Sequence, residues 1–134
     1  MGITVNEQPQ RFYLATQKVW KPMVGHEIRI GEYRFCAIPM EGHINITEVT
    51  SGCEVIEIPL SVGIMLKTET KEGAMAFLYK VGETLKRIFI DADNGYDQEL
   101  EKLRNLSLKR LGEMPPIEDV DMDWIFEDES GVLN

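Results

Sequence analysis

At Thr70 the hydrophobic period of this chain changes from near two to near 3.6. From Gln10 to about Leu66, β-branched and aromatic residues alternate with polar ones; after Thr70, Ala74, Phe77, Leu78, Val81, Leu85 and Ile88 recur at helical spacing. A chain patterned this way places strands first and helices second. That order predicts an α+β fold with an antiparallel sheet and disfavours the alternating βαβ units of a Rossmann-type parallel sheet.

The strand half divides at its turn residues. RFYLATQKVW reads as one strand ending at Lys21-Pro22, where proline removes a ladder donor. HEIRIGEYRFCAI alternates Ile28 and Ile30 against Glu27 and Arg29, and Gly31-Glu32 suits a two-residue hairpin turn with glycine first. HINITEVT puts Ile44 and Ile46 on one face, Ser51-Gly52 separates it from CEVIEIPL, and SVGIMLKT reads as a further short strand. The expectation is a sheet or barrel-like meander of about five strands.

Two helices and an acidic tail follow. Thr70 is placed to cap the first helix, with Glu72 in its first turn. The second begins near Tyr96 or Asp97 and carries Leu100, Leu103, Leu106, Leu108 and Leu111 up to Gly112, with Lys109 and Arg110 at its negative end. Residues 1–112 therefore read as one α+β domain with a C-terminal pair of α-helices, and residues 113–134 as an acidic tail. Val120, Met122, Trp124 and Phe126 share one face of that tail if it is extended, as in an arm packing on its own sheet or on a second subunit.

Charge and composition narrow the function classes. Eight of the nine excess negative charges fall in residues 113–134, which leaves residues 1–112 near −1 and without the basic surplus that a duplex-binding surface needs. No apolar run approaches the roughly 18 residues of a membrane span, and MGITVNEQPQ has neither the basic nor the apolar region of a secretory signal. The expected setting is cytoplasmic, with no nucleic-acid or membrane partner. Cys36 and Cys53 are too sparse for a disulfide framework, and with His26 and His43 they lack the spacing of a zinc module.

The stretch IDADNGYDQELEKL, between the two helices, looks like a calcium loop, with Asp91, Asp93, Asp97, Glu99 and Glu101 around Gly95. Counted from Asp91, however, the glycine falls at position 5 instead of 6, and position 12 is Lys102 instead of the bidentate glutamate. The stretch is expected to be a helix-helix turn in which Asn94 or Gly95 is left-handed. No phosphate-loop, dinucleotide, nucleophile-elbow or zincin motif is present, and neither His26 nor His43 has an acid and nucleophile at a recognisable spacing. No catalytic residue, metal or cofactor is predicted, and the chain is not expected to be an enzyme.

Basic residues near the helix ends carry more interest. Arg87, Arg104 and Arg110 would line a cleft beside Asn94 and an aromatic such as Phe89 or Tyr96, a set able to hold a small anionic nucleotide by bidentate and stacking contacts. The bland alternative is surface pairing, Glu83 with Arg87 and Glu101 with Arg104.

Strand-like FYLATQKVW and ITEVTSG, then the helix ETKEGAMAFLYKVGETL, an asparagine-bearing turn and a second helix give an order that resembles phage-encoded anti-Thoeris sponge proteins. What the resemblance implies is a non-enzymatic homo-oligomer, dimeric or larger, that sequesters a cyclic ADP-ribose-type or cyclic oligonucleotide signal and so blocks host antiviral defence in the host cytoplasm. On this chain it implies Asn94 and Arg110 as polar contacts and Phe89 or Tyr96 for stacking. The crowded acids Asp91, Asp93 and Asp97 depart from what a phosphate would favour. A different reading is a phage-type protein-protein inhibitor whose acidic tail mimics nucleic acid or docks on a host protein.

Overall fold

The computed structural model describes residues 2–92 and 95–124. Seven strands and three α-helices follow in the order β1 (Ile3–Val5), β2 (Gln10–Ala15), β3 (Trp20–Ile30), β4 (Tyr33–Met40), β5 (His43–Glu48), β6 (Cys53–Pro59), α1 (Val62–Lys67), α2 (Lys71–Leu85), α3 (Tyr96–Leu111) and β7 (Glu118–Asp119). The class is α+β and every strand pair is antiparallel. The sheet runs β6-β5-β4-β3-β2-β7, with β1 beside the far half of β3. It curls until Ala15 N donates to Gly52 O at 2.8 Å, joining the end of β2 to the turn before β6.

Four expectations need correcting. The strands number six or seven, depending on whether the two-residue β7 is counted, instead of about five. RFYLATQKVW is not one strand, because β2 ends at Ala15 and β3 starts at Trp20 and runs through Pro22. Proline is tolerated there because β4 pairs with β3 only from Ile30 back to His26, so the Pro22 edge facing β4 has no ladder bond to lose. SVGIMLKT is the helix α1, started by Ser61, whose hydroxyl accepts from Ile64 N at 3.2 Å. The helices are also not the last elements, since β7 returns to pair with β2.

Local signals elsewhere hold. Thr70 caps α2 by accepting from Gly73 N at 3.0 Å, the Gly31-Glu32 turn joins β3 to β4, and Gly112 ends α3. α2 buries Ala74, Leu78, Val81 and Leu85 against Ile28, Ile30, Phe35, Ala37, Ile44 and Ile46 on the convex face of the sheet. The concave face closes on itself around Phe12, Cys36, Ile38 and Val49, with Ile117 packed in from the C-terminal segment. α3 lies across the seam of the curl: Arg104 Nε donates to Thr50 Oγ1 at 2.5 Å, Ser107 Oγ to Ser51 O at 2.8 Å and Arg110 Nε to Thr16 O at 3.2 Å. Leu106 and Leu108, on either side of buried Ser107, are 58% and 51% exposed and do not join the core.

As far as Trp124 the C-terminal segment lies on the domain. Gln10 and Arg11 pair with Asp119 and Glu118, Val120 N donates to Pro9 O at 3.0 Å, and Lys71 meets Asp123 at 3.1 Å. Trp124 packs on the α2 side of the sheet. Phe126 lies outside the described residues.

His26 is fully buried, and its Nδ1 lies 2.8 Å from Asn6 O. Burial holds the imidazole below its ordinary pKa, against the opposing hydrogen bond to Asn6. The folded state therefore binds less proton than the unfolded state as pH falls through about 6.5, so the stability present above that value is lost on acidification. The urea midpoint should fall between pH 7 and pH 5.5, and His26→Gln should flatten that slope; a slope unchanged in the variant would refute the assignment.

Candidate aromatic site

α2 does not stop at Leu85 but passes directly into a π-helical turn, Lys86–Asp91. π-turns are rare and recur at functional sites, because the extra residue rotates the following side chains off the 3.6-residue pattern. Here the rotation brings Phe89 and Ile90 inward to the sheet, while Ile88, on the predicted apolar stripe, is left exposed. Gly95 then takes a left-handed conformation (φ +84°, ψ +23°) that an L side chain adopts at a cost, and α3 starts at Tyr96.

Four rings from three segments converge as a result. Phe89 and Tyr96 have centroids 5.0 Å apart, Tyr33 and Tyr96 5.9 Å, Phe35 and Phe89 6.2 Å, and Phe35 and Tyr96 6.4 Å with planes within 17°. Phe35 is fully buried and packs on Phe89 and Tyr96. Tyr33, Phe89, Ile90, Gly95, Tyr96 and Asp97 line a cavity of about 230 Å³. Tyr33 Oη donates to Asp97 Oδ1 at 2.5 Å, which fixes one wall.

The polar surroundings are uneven. The Tyr96 hydroxyl is buried and has no hydrogen-bond partner among the described residues. Burial, reinforced by the nearby Glu48 carboxylate and opposed by Arg104, raises its pKa above the ordinary tyrosine range, so it remains a neutral donor. Glu48 is itself buried and accepts from Thr50 N at 3.2 Å, from Thr50 Oγ1 at 2.9 Å and from Ser51 N at 2.7 Å, which shapes the turn that Arg104 grips.

The residues expected to form one site are therefore only partly together. Phe89 and Tyr96 are in contact, and Arg104 is near enough to affect the Tyr96 hydroxyl. Arg87 is exposed on the π-turn, without an ion pair among the described residues. Arg110 lies fourteen residues after Tyr96 on the same helix, about 21 Å along the axis at ~1.5 Å per residue, and is engaged at Thr16. That distance separates Arg110 from any ligand held at the rings. Asn94 and Asp93 lie outside the described residues. Neither expected surface pair forms: Arg104 bonds Thr50 instead of Glu101, and Glu83 makes no ion pair with Arg87.

Sequence patterning missed Tyr33, Phe35 and Glu48 as members of this site. Tyr33 and Phe35 sit two apart after a glycine turn, a strand signal without any functional mark. Among the described residues no three His, Cys, Asp or Glu side chains are grouped to hold a metal, and no helix is long and apolar enough to cross a membrane. Cys36 faces the concave core while Cys53 lies beside Ser107, so the two do not converge with His26 and His43. No protein-family model matches the chain, and neither do curated proteins or solved structures.

Proposed function

We propose that the chain is a binding protein without turnover, holding a small signalling nucleotide of the cyclic ADP-ribose or cyclic oligonucleotide class by its base in the aromatic cavity. The observation that carries this reading is the convergence of four rings, through a π-turn, beside a cavity that three of them line, with a buried Tyr96 hydroxyl that has no partner among the described residues. At about 230 Å³ the cavity is smaller than the ~300–1,000 Å³ that encloses a whole drug-sized ligand, so it suits one ring system, with the remainder outside. Asp97, on its wall, accepts the Tyr33 hydroxyl and can also accept an exocyclic amine. Arg104 and Arg87 are the cations available to phosphate; Asp91 and Glu99, on the same two helical segments, oppose it. Exposed Val62, Met65 and Leu66 on α1 supply apolar surface for a homo-oligomer, as a sponge of this kind would use.

Thermal shift tests the reading. A ligand at a hundredfold excess over its Kd adds about 2.7 kcal/mol, a rise in Tm of roughly 10 °C for a domain of this size. Cyclic ADP-ribose isomers, cyclic dinucleotides and adenosine are the probes, with chromatography expected to return each unchanged. Tyr96→Phe should raise the Tm of the free protein, because it removes an unsatisfied group worth about 1–3 kcal/mol, yet reduce the ligand-induced shift. Absence of a shift with every probe would sink the proposal. Inhibition of a host protein through the acidic segment is the rival, and its acids are partly engaged at home: Glu118 with Arg11, Asp119 with Gln10 and Asp123 with Lys71.

A further inference from the structure

β1 and β2 lie one after the other along the same edge of β3, opposite β4. Asn6 N donates to Glu27 O at 2.9 Å, Gly31 N donates to Gly2 O at 3.3 Å, and Thr4 stands opposite Arg29. Gly2, Thr4 and Asn6 therefore turn their main-chain groups toward β3. By the alternation of an antiparallel ladder, Ile3 and Val5 turn theirs outward. No described residue bonds those outward groups.

The same sheet edge is already used for docking farther along. β7 pairs with β2 there, Val120 N donates to Pro9 O, and Gln8 Nε2 donates to Val120 O at 2.7 Å. The segment then leaves the edge: Met122 N bonds back to Val120 O, and the Lys71–Asp123 pair draws the chain toward α2. Beyond that pairing, residues 2–8 line two cavities, the larger of which Met122 and Asp123 also line. One of about 320 Å³ has Gly2 and Ile3 against Tyr79 and Glu83; one of about 640 Å³ has Thr4 to Gln8 against Lys71 and Asp123. From Ile3 to Val5 the edge offers three residues of extended backbone, roughly 10 Å at ~3.3 Å per residue.

We propose that the outer edge of β1 is a docking site for an extended peptide, which adds a strand to the sheet in line with β7. Strand addition takes its affinity from main-chain bonds and its specificity from alternate side chains. A peptide residue opposite Thr4 projects to the face that carries Arg29. That arginine is exposed, stands directly across from Arg34, and bonds the Gly31 carbonyl at 3.3 Å. Glu27 pairs with Arg34 at 2.7 Å, and among the described residues Arg29 makes no ion pair, although Glu7 and Asp123 line the same cavity. Like charges directly opposed across strands are unfavourable, so a carboxylate at this peptide position is favoured. The two flanking peptide residues, opposite Ile3 and Val5, project to the α2 side, where Ile3 and Val5 pack on the core and the Tyr79 ring is half-exposed; apolar side chains suit that contact, with Glu83, Lys86 and Asp91 lining the same cavity. The occupant is thus a peptide reading apolar-acidic-apolar, independent of any nucleotide in the aromatic cavity.

The probe is the acetylated and amidated pentapeptide serine-valine-aspartate-valine-serine at millimolar concentration, against its analogue N-methylated at both valines and its analogue with lysine for aspartate. In ¹⁵N spectra of the full chain, the Ile3 and Val5 amides should shift and their hydrogen exchange should slow at least tenfold with the first peptide. The N-methylated peptide should do neither, and the lysine peptide should bind at least fivefold more weakly. Val5→Pro removes an outward donor and no ladder bond to β3, so it should retain the fold and lose the peptide; if it does not fold, the N-methylated arm decides. Equal binding of the N-methylated peptide, or no response at Ile3 and Val5, would overturn the proposal. So would protection of those amides that rises with protein concentration alongside dimer formation in sedimentation, which would assign the edge to a second copy of the chain.

Discussion

Phe35→Ala should lower the unfolding free energy by about 4 kcal/mol and abolish any nucleotide-induced thermal shift together with it. The ring is fully buried, and truncating a buried phenylalanine costs about 3–5 kcal/mol through lost transfer energy and the cavity left behind. Its contacts with Phe89 and Tyr96 add ring-ring terms of roughly 0.5–1.5 kcal/mol each. Phe12→Ala is the control. That ring is equally buried but belongs to the concave cluster, away from the cavity, so its loss should destabilise to a similar extent and leave the ligand shift in place. Urea denaturation measures the first effect and thermal shift the second. If both variants kept the shift, the Phe89 and Tyr96 rings that Phe35 supports would not form a binding site.

Gly25→Ala should cost on the order of 3 kcal/mol, although it adds a single methyl group. A Cβ at this position would sit 2.3 Å from Ala37 O and 3.0 Å from Ile38 Cγ1. The first obstacle is backbone, which cannot rotate aside as a side chain can, so relief requires β3 and β4 to part where their ladder ends at His26 and Ala37. Overpacking typically costs about 1–3 kcal/mol, and a main-chain obstacle belongs at the upper end. With m near 2 kcal/mol per molar urea, the midpoint should fall by roughly 1.5 M. A loss below about 1 kcal/mol would mean that the two strands are farther apart at this point than the geometry gives.

What was legible in the sequence depended on how far each determinant reached along the chain. Thr70 capping Gly73 and Gly112 closing α3 are settled within four residues, and the alternation around Ile28, Ile30, Ile44 and Ile46 correctly gave the buried face. SVGIMLKT failed because a short apolar run is compatible with either period; the signal that favoured helix was Ser61, three residues before the amide it caps. Pro22 misled for a different reason. Proline reports only that a donor is absent, and whether that ends a strand depends on whether a neighbour stands on that edge.

The candidate site was less readable. Phe89 and Tyr96 stand out in the sequence by their chemistry, but they meet because a π-turn departs from the 3.6-residue pattern, and nothing in that pattern announces the departure. Arg110 sits near a helix end, but the sixteen-residue length of α3 sets it far from the rings, at Thr16. Buried His26 meets Asn6, twenty residues away, whereas buried Glu48 bonds locally to the Thr50-Ser51 turn; neither carries a periodic mark.

The pairing of β2 with β7 also bears on how the protein is made. Gln10 meets Asp119 across 109 positions of chain. During synthesis at roughly 5–20 residues per second, β2 leaves the ribosome several seconds before its outer neighbour exists. For that interval, and permanently in any product truncated before Ile117, the outer edge of β2 is an unpaired template and the concave core lacks the Ile117 side chain. The last strand, only two residues long, thus closes the nascent sheet against pairing with other chains.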